Sequence, residues 1–279
     1  MKKTKPKSPP VITAKSWVIM DGTSGQLLYG KGEYERREIA SLTKLMTAYT
    51  VITLVEKFQL SISSTKIEVD FDAQFIGGTS AQLCEGDILS IWNLLHGLLL
   101  PSGNDAAMAL AAYFGDLIAK NSKNNFHNKY DPIQIFVNKM NKNASLLNMK
   151  NTRFINPTGL CNVLNKSTAS DIGRLAHIVM KEPIIREIVR KKIYCCASID
   201  SYGDERYFAW ENTNQLIGTL NFNGLKTGIT PNAGPCLVTS YQDEVKHLIV
   251  VLLNCKTPEH RWYESILLTE FGINLLLNS

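Results

Sequence analysis

Residues 40–52, "ASLTKLMTAYTVI", set the Ser41 hydroxyl three residues before the Lys44 amine at the head of an apolar run. Side chains three apart on a helix share a face, with Cβ atoms about 5–6 Å apart, so the two groups can meet. Two chemistries fit: a helix cap beside a solvated lysine, or a nucleophile beside its base. Two further polar clusters lie against apolar elements, Ser102-Gly103-Asn104 and Lys226-Thr227-Gly228. A Ser-x-x-Lys tetrapeptide arises by chance about once in a chain of this size. The ordered set of three clusters therefore carries more weight than any one of them.

Several elements must position these residues. "SWVIMDGTSGQLLYGKGEY" (16–34) reads as a hairpin turning at "DGTSG". Residues 89–115, "LSIWNLLHGLLLPSGNDAAMALAAYFG", read as helix broken at Pro101-Ser102-Gly103, which leaves Ser102 and Asn104 on a turn between helices. Another helix (132–149) and the turn "NPTG" follow, then strand character at "NGLKTGIT", "GPCLVTSY" and "KHLIVVLLN". "RWYESILLTEFGINLLLN" (261–278) is amphipathic and faces a core, because it lacks a lysine-rich polar face. Strands at both chain ends with helices between them predict an α/β (α+β) fold. In it, N- and C-terminal strands pair in one antiparallel sheet flanked by the helical insert. Residues 120–131, "KNSKNNFHNKYD", read as a polar surface loop that could contact a protein partner. Asp21, Asp105 and Asp171 read as caps at turns or helix starts.

Composition excludes several classes. The chain has 279 residues, 44% hydrophobic and 20% charged, enough for a substantial core. Its formal charge of +5 falls to +1 once the four lysines among residues 1–7 are set aside, so no basic stripe for nucleic acid is indicated. The expected layout is a basic flexible tail at 1–10 and a single catalytic domain at 11–279. No apolar segment is long enough to span a membrane, and no signal peptide follows the basic start. Six cysteines without Cys-x-x-Cys spacing or nearby histidines predict free, mostly packing thiols and no metal site. His96, His127, His177, His247 and His260 form no catalytic pattern. No cofactor is expected.

The three clusters, in order and context, resemble those of the serine D-alanyl-D-alanine carboxypeptidases. These are the low-molecular-mass penicillin-binding proteins that share a fold with class A β-lactamases. "ASLTKLMTA" is similar to the family's nucleophile motif, "LLLPSGNDAAMALA" to the second motif and "NGLKTGIT" to the third. "GGTSAQLCEGD", "FVNKMNKNASLLNMKNTRFINPTGL", "STASDIGRLA" and "RWYESILLTEFG" extend the similarity across residues 11–271. The resemblance implies a serine hydrolase acting on D-Ala-D-Ala peptides of peptidoglycan through an acyl-serine, inhibited by β-lactams and working outside the cytoplasm.

The residues fit that chemistry. With no histidine near Ser41, the neutral amine of Lys44 is the available base. A facing Lys226 would lower the Lys44 pKa. Ser102 can relay a proton to the leaving amine, and Asn104 can hold Lys44 and the substrate amide. Lys226 and Thr227 offer a charge-assisted clamp for the substrate carboxylate. Gly228 permits close backbone approach. The resemblance implies carboxylate support from Arg261, otherwise a surface ion pair, and an oxyanion hole from the backbone N–H groups of Ser41 and Ile229. A histidine stands in some relatives where this chain has Ile229, which predicts altered substrate preference. A β-lactamase-like hydrolase and a non-catalytic binding module with the same fold are the competing readings. The former would need a glutamate serving a deacylating water, and "NPTGL" and its surroundings offer none.

Overall fold

A computed structural model of the chain describes residues 8–122, 130–160, 162–200 and 202–278. Most of the basic tail, the middle of the 120–131 loop, Cys161 and His127 lie outside the described residues.

The N-terminal hairpin forms as its pattern predicts, from β1 (Ser16–Asp21) and β2 (Leu27–Lys31), and Asp21 Oδ1 accepts from the turn amides of Thr23 and Ser24. The short β3 (Arg37–Glu38) and a 3₁₀ turn (Ala40–Leu42) lead into α1 (Thr43–Lys57). Next come β4 (Lys66–Glu68), α2 (Phe71–Gln74), β5 (Ile88–Ser90), α3 (Ile91–Leu99), α4 (Asn104–Lys120) and α5 (Pro132–Leu146). Then follow β6 (Lys166–Ser167), α6 (Ala169–Val179), α7 (Pro183–Val189), β7 (Ile193–Ile199) and β8 (Glu205–Glu211). The chain closes with β9 (Phe222–Gly228), β10 (Cys236–Gln242), β11 (His247–Leu253) and α8 (His260–Asn278).

The terminal strands pair as expected, in a five-stranded antiparallel sheet ordered β2-β1-β11-β10-β9. β1 between Ser16 and Asp21, and β11 after His247, are apolar because both faces are covered. Trp17, Ile19, Leu248, Val250 and Leu252 pack with Leu268 and Phe271 of α8. The alternate residues Val18, Met20, Ile249, Val251 and Leu253 join the larger core formed with α1, α3, α4 and α6. The amphipathic last helix thus faces a core. No helix among the described residues is long and apolar enough to cross a membrane.

The middle of the chain differs from the expectation of helices alone. A second sheet, β4-β5-β7-β8, is built from it. Its β7–β8 hairpin buries Ser198, Phe208 and Trp210 while the apolar Ile193, Ile199 and Tyr207 stay exposed, so its residue types show no clean apolar–polar alternation. Asp87 ties this sheet to the loop before β5, accepting from Cys84 N, Ser198 Oγ and Arg206.

Of the three aspartates expected as caps, Asp21 holds its turn, while Ser90, Asp131 and Thr168, not singled out in the sequence, accept hydrogen bonds at the starts of α3, α5 and α6. Asp171 instead accepts from Asn151 N and Thr152 Oγ1, and Asp105 from Ala81 N, Leu83 N and Ser80 Oγ. Both carboxylates stitch a distant loop to a helix start.

Candidate active site

The break at Pro101–Gly103 separates α3 from α4, with one shift from expectation: Ser102 lies on the turn, whereas Asn104 is the first residue of α4. Two backbone distortions flank the nucleophile candidate and this turn, since Ala40 (φ 48) and Ser102 (φ 68) occupy the left-handed region that L-residues rarely adopt. At the rim of the sheet, β9 approaches the 3₁₀ turn closely. A Cβ on Gly228 would lie 3.1 Å from Ser41 N and 3.0 Å from Ile39 O, which is why glycine ends the strand.

Ser41, Ser102, Asn104, Thr227, Gly228, Ile229 and Arg261 converge on one cleft of about 390 Å³. Lys44 lies beneath it, fully buried, and its Nζ is 3.0 Å from Ser41 Oγ, 2.7 Å from Asn104 Oδ1 and 2.8 Å from Thr158 O. The start of α1 has no side-chain cap, so Ser41 is not a helix cap and Lys44 is not solvated. Asn104 is oriented by its Nδ2, which donates to Gly77 O at 2.8 Å. Ser102 Oγ is buried without a hydrogen-bond partner. Lys226, also buried, donates to Thr227 O at 3.2 Å, and Thr227 Oγ1 lies 2.7 Å from Thr213 Oγ1.

Burial chiefly, and then the Lys226 cation, hold the Lys44 pKa well below the usual lysine value, with Asp105 opposing. Burial, with Arg261 adding to it, lowers the Lys226 pKa to about 7. A neutral Lys44 has two N–H bonds and one lone pair. The carbonyl oxygens of Asn104 and Thr158 can only accept, so they take both protons, and the lone pair is left for the Ser41 O–H. Arg261 is buried rather than at the surface. It donates to Pro258 O at 3.0 Å, lies 3.5 Å from Gly228 O and Cys236 O, and forms no ion pair among the described residues. Among the described residues, the cleft therefore has two buried cations beside it and no carboxylate in its lining.

Parts of the site carried no signal of their own in the sequence. The Thr158 carbonyl is held over Lys44 by the Asn156 side chain, which accepts from Thr158 N and Gly159 N. The 77–83 loop forms a cleft wall. Thr79 Oγ1 donates to Ser102 O at 2.6 Å, Asn104 N to Thr79 O at 2.8 Å, and Trp210 Nε1 of the second sheet to Ala81 O at 2.8 Å. Both segments resemble family segments as wholes, and their residues carry no role-bearing motif of their own. None of the described histidines lines the cleft.

Fold and site together define a mixed helix-and-sheet protein whose cleft joins a serine hydroxyl to a buried lysine amine. The sequence profile of the D-alanyl-D-alanine carboxypeptidases, peptidase family S11, matches residues 3–257, and the chain belongs to that family. D-alanyl-D-alanine carboxypeptidase DacD of Escherichia coli K12 is 34% identical over 273 residues, covering 95% of this chain and 64% of the relative. The chain thus spans about two-thirds of that protein's length. The D-alanyl-D-alanine carboxypeptidase of Streptomyces sp. K15 is 30% identical, with 95% and 89% covered. The crystal structure of the Streptomyces K15 DD-transpeptidase superposes with a TM-score of 0.85 at 29% identity, covering 96% of this chain and 99% of that one.

Proposed function

We propose that this chain removes the terminal D-alanine from peptidoglycan peptides ending in D-alanyl-D-alanine, through an acyl-serine intermediate. The observation that carries the reading is the Lys44 amine, fastened by two carbonyls so that its lone pair meets the Ser41 hydroxyl. Lys226, Thr227 and Arg261 draw the substrate's terminal carboxylate into the cleft. Lys44 takes the Ser41 proton as Oγ attacks the penultimate carbonyl carbon. The backbone N–H groups of Ser41 and Ile229 stabilise the resulting oxyanion. The proton then passes through Ser102, whose hydroxyl is otherwise unpartnered, to the amine of the departing D-alanine. Water, activated by Lys44, hydrolyses the ester and restores Ser41.

A carboxypeptidase is favoured over a β-lactamase because, among the described residues, no glutamate or aspartate lines the cleft to activate water against a penicilloyl ester. β-Lactams, whose carboxylate and strained amide mimic the substrate terminus, are the expected inhibitors. The test is release of D-alanine from a peptide ending in D-alanyl-D-alanine. The wild type turns it over, and Lys44→Ala is slower by at least about 10². No release by the wild type supports the binding module instead.

A further inference from the structure

Thr213 is an exposed residue on the loop after β8, and its hydroxyl sits 2.7 Å from that of Thr227. We propose that Thr213 is a positioning residue for the carboxylate clamp, donating its proton to Thr227 Oγ1 so that the Thr227 proton points at the substrate carboxylate. The inference rests on the reading of this cleft as a carboxylate site.

Each hydroxyl has a single proton and two lone pairs. A carboxylate only accepts, so Thr227 must donate to it, and the contact between the two threonines then survives only if Thr213 is the donor. A hydroxyl that accepts one hydrogen bond also donates more strongly in the next, because the chain of bonds polarises.

The loop is built to hold Thr213 in place. The asparagines on either side are both anchored. Asn212 Nδ2 donates to Val189 O at 3.1 Å and Lys191 O at 3.0 Å. The buried Asn214 donates to Gly224 O of β9 at 2.9 Å, while its Oδ1 accepts from Leu216 N at 3.1 Å. Thr213 N donates to Leu100 O, two residues before Ser102, at 3.1 Å. One residue thus links the turn of the proton-relay serine to the strand of the clamp. The backbone of an exposed residue is thus fixed on both sides, which fixes where its hydroxyl meets Thr227.

The experiment compares Thr213→Val and Thr213→Ser with wild type, measuring the second-order rate of Ser41 acylation by benzylpenicillin and by its methyl ester. Valine keeps the shape without the proton, and serine keeps the proton without the methyl. The acid-over-ester rate ratio should fall about 3- to 10-fold in Thr213→Val, the range for one lost hydrogen bond, and return in Thr213→Ser. An unchanged ratio in Thr213→Val overturns the proposal, as does a Thr213→Ser variant that behaves like valine. If acylation by acid and ester drops equally, Thr213 is structural and the proposal also fails. A wild type that acylates with neither compound overturns the reading of the site itself, and the inference with it.

Discussion

Gly159→Ala tests how tightly the nucleophile and its base are held. Gly159 has φ 81, and a Cβ there would stand 2.0 Å from Ala40 O, 2.5 Å from Ala40 C and 2.9 Å from Thr43 Oγ1. Real Cβ contacts essentially never fall below 3.0 Å, so one side must retreat by at least about 1 Å. Neither side can move harmlessly. Ala40 precedes Ser41 in the 3₁₀ turn, and Thr158, which precedes Gly159, supplies the carbonyl that holds Lys44. A misplacement of about 1 Å can cost about 10²-fold in rate, and that is the loss expected in Ser41 acylation by benzylpenicillin, followed by intact mass over time. The left-handed conformation adds about 1–2 kcal/mol of strain for alanine. Tm should therefore fall by about 2–8 °C, leaving a folded protein whose rate can be read. A folded variant that acylates within about twofold of wild type would refute the reasoning, because the contact would not then set the geometry.

Two further outcomes follow. Peptidase kcat/KM should be bell-shaped in pH, rising as Lys44 loses its proton and falling as Lys226 loses its own through about 7. In Lys226→Gln the limb near 7 should vanish, and the acid limb should move to higher pH because a cation that depressed the Lys44 pKa is gone; persistence of the limb near 7 would exclude Lys226 as its source. Ile229→Pro removes a backbone donor and should slow acylation by about 10²–10³, whereas Ile229→His keeps the N–H and should stay within about tenfold. Normal acylation by a folded proline variant would remove Ile229 from the oxyanion hole.

The sequence was informative where local chemistry and burial coincide. Terminal strands covered on both faces, such as residues 247–253, read as continuous apolar runs, and the 101–103 break marked itself with proline and glycine. Ser41 and Lys44 are legible as a pair, but only burial separates cap from nucleophile: Lys44 is fully enclosed and its nitrogen has three hydrogen-bond partners. What stayed hidden depends on contacts between distant segments. The Thr158 carbonyl lies 114 residues from Lys44, and a main-chain oxygen leaves no residue-type signal. Asp105 looked like a cap because helix starts favour aspartate, yet its oxygens serve the 80–83 loop. The β7–β8 hairpin alternates in burial, but the apolar Ile193, Ile199 and Tyr207 occupy exposed positions, so the residue types do not alternate with it. Arg261 was matched by position, and only the fold shows it buried against the cleft without a carboxylate.

The central claim, that Ser41 is a nucleophile driven by a neutral Lys44, is tested most directly by incubating the protein with benzylpenicillin and mapping the adduct by peptide mass. A lasting penicilloyl ester on Ser41 is predicted, absent in Ser41→Ala and formed at least about 10²-fold more slowly in Lys44→Ala. Rapid loss of the ester would indicate a β-lactamase. An adduct on any other serine, or none, would contradict the account and leave Ser41 and Lys44 as a buried structural pair.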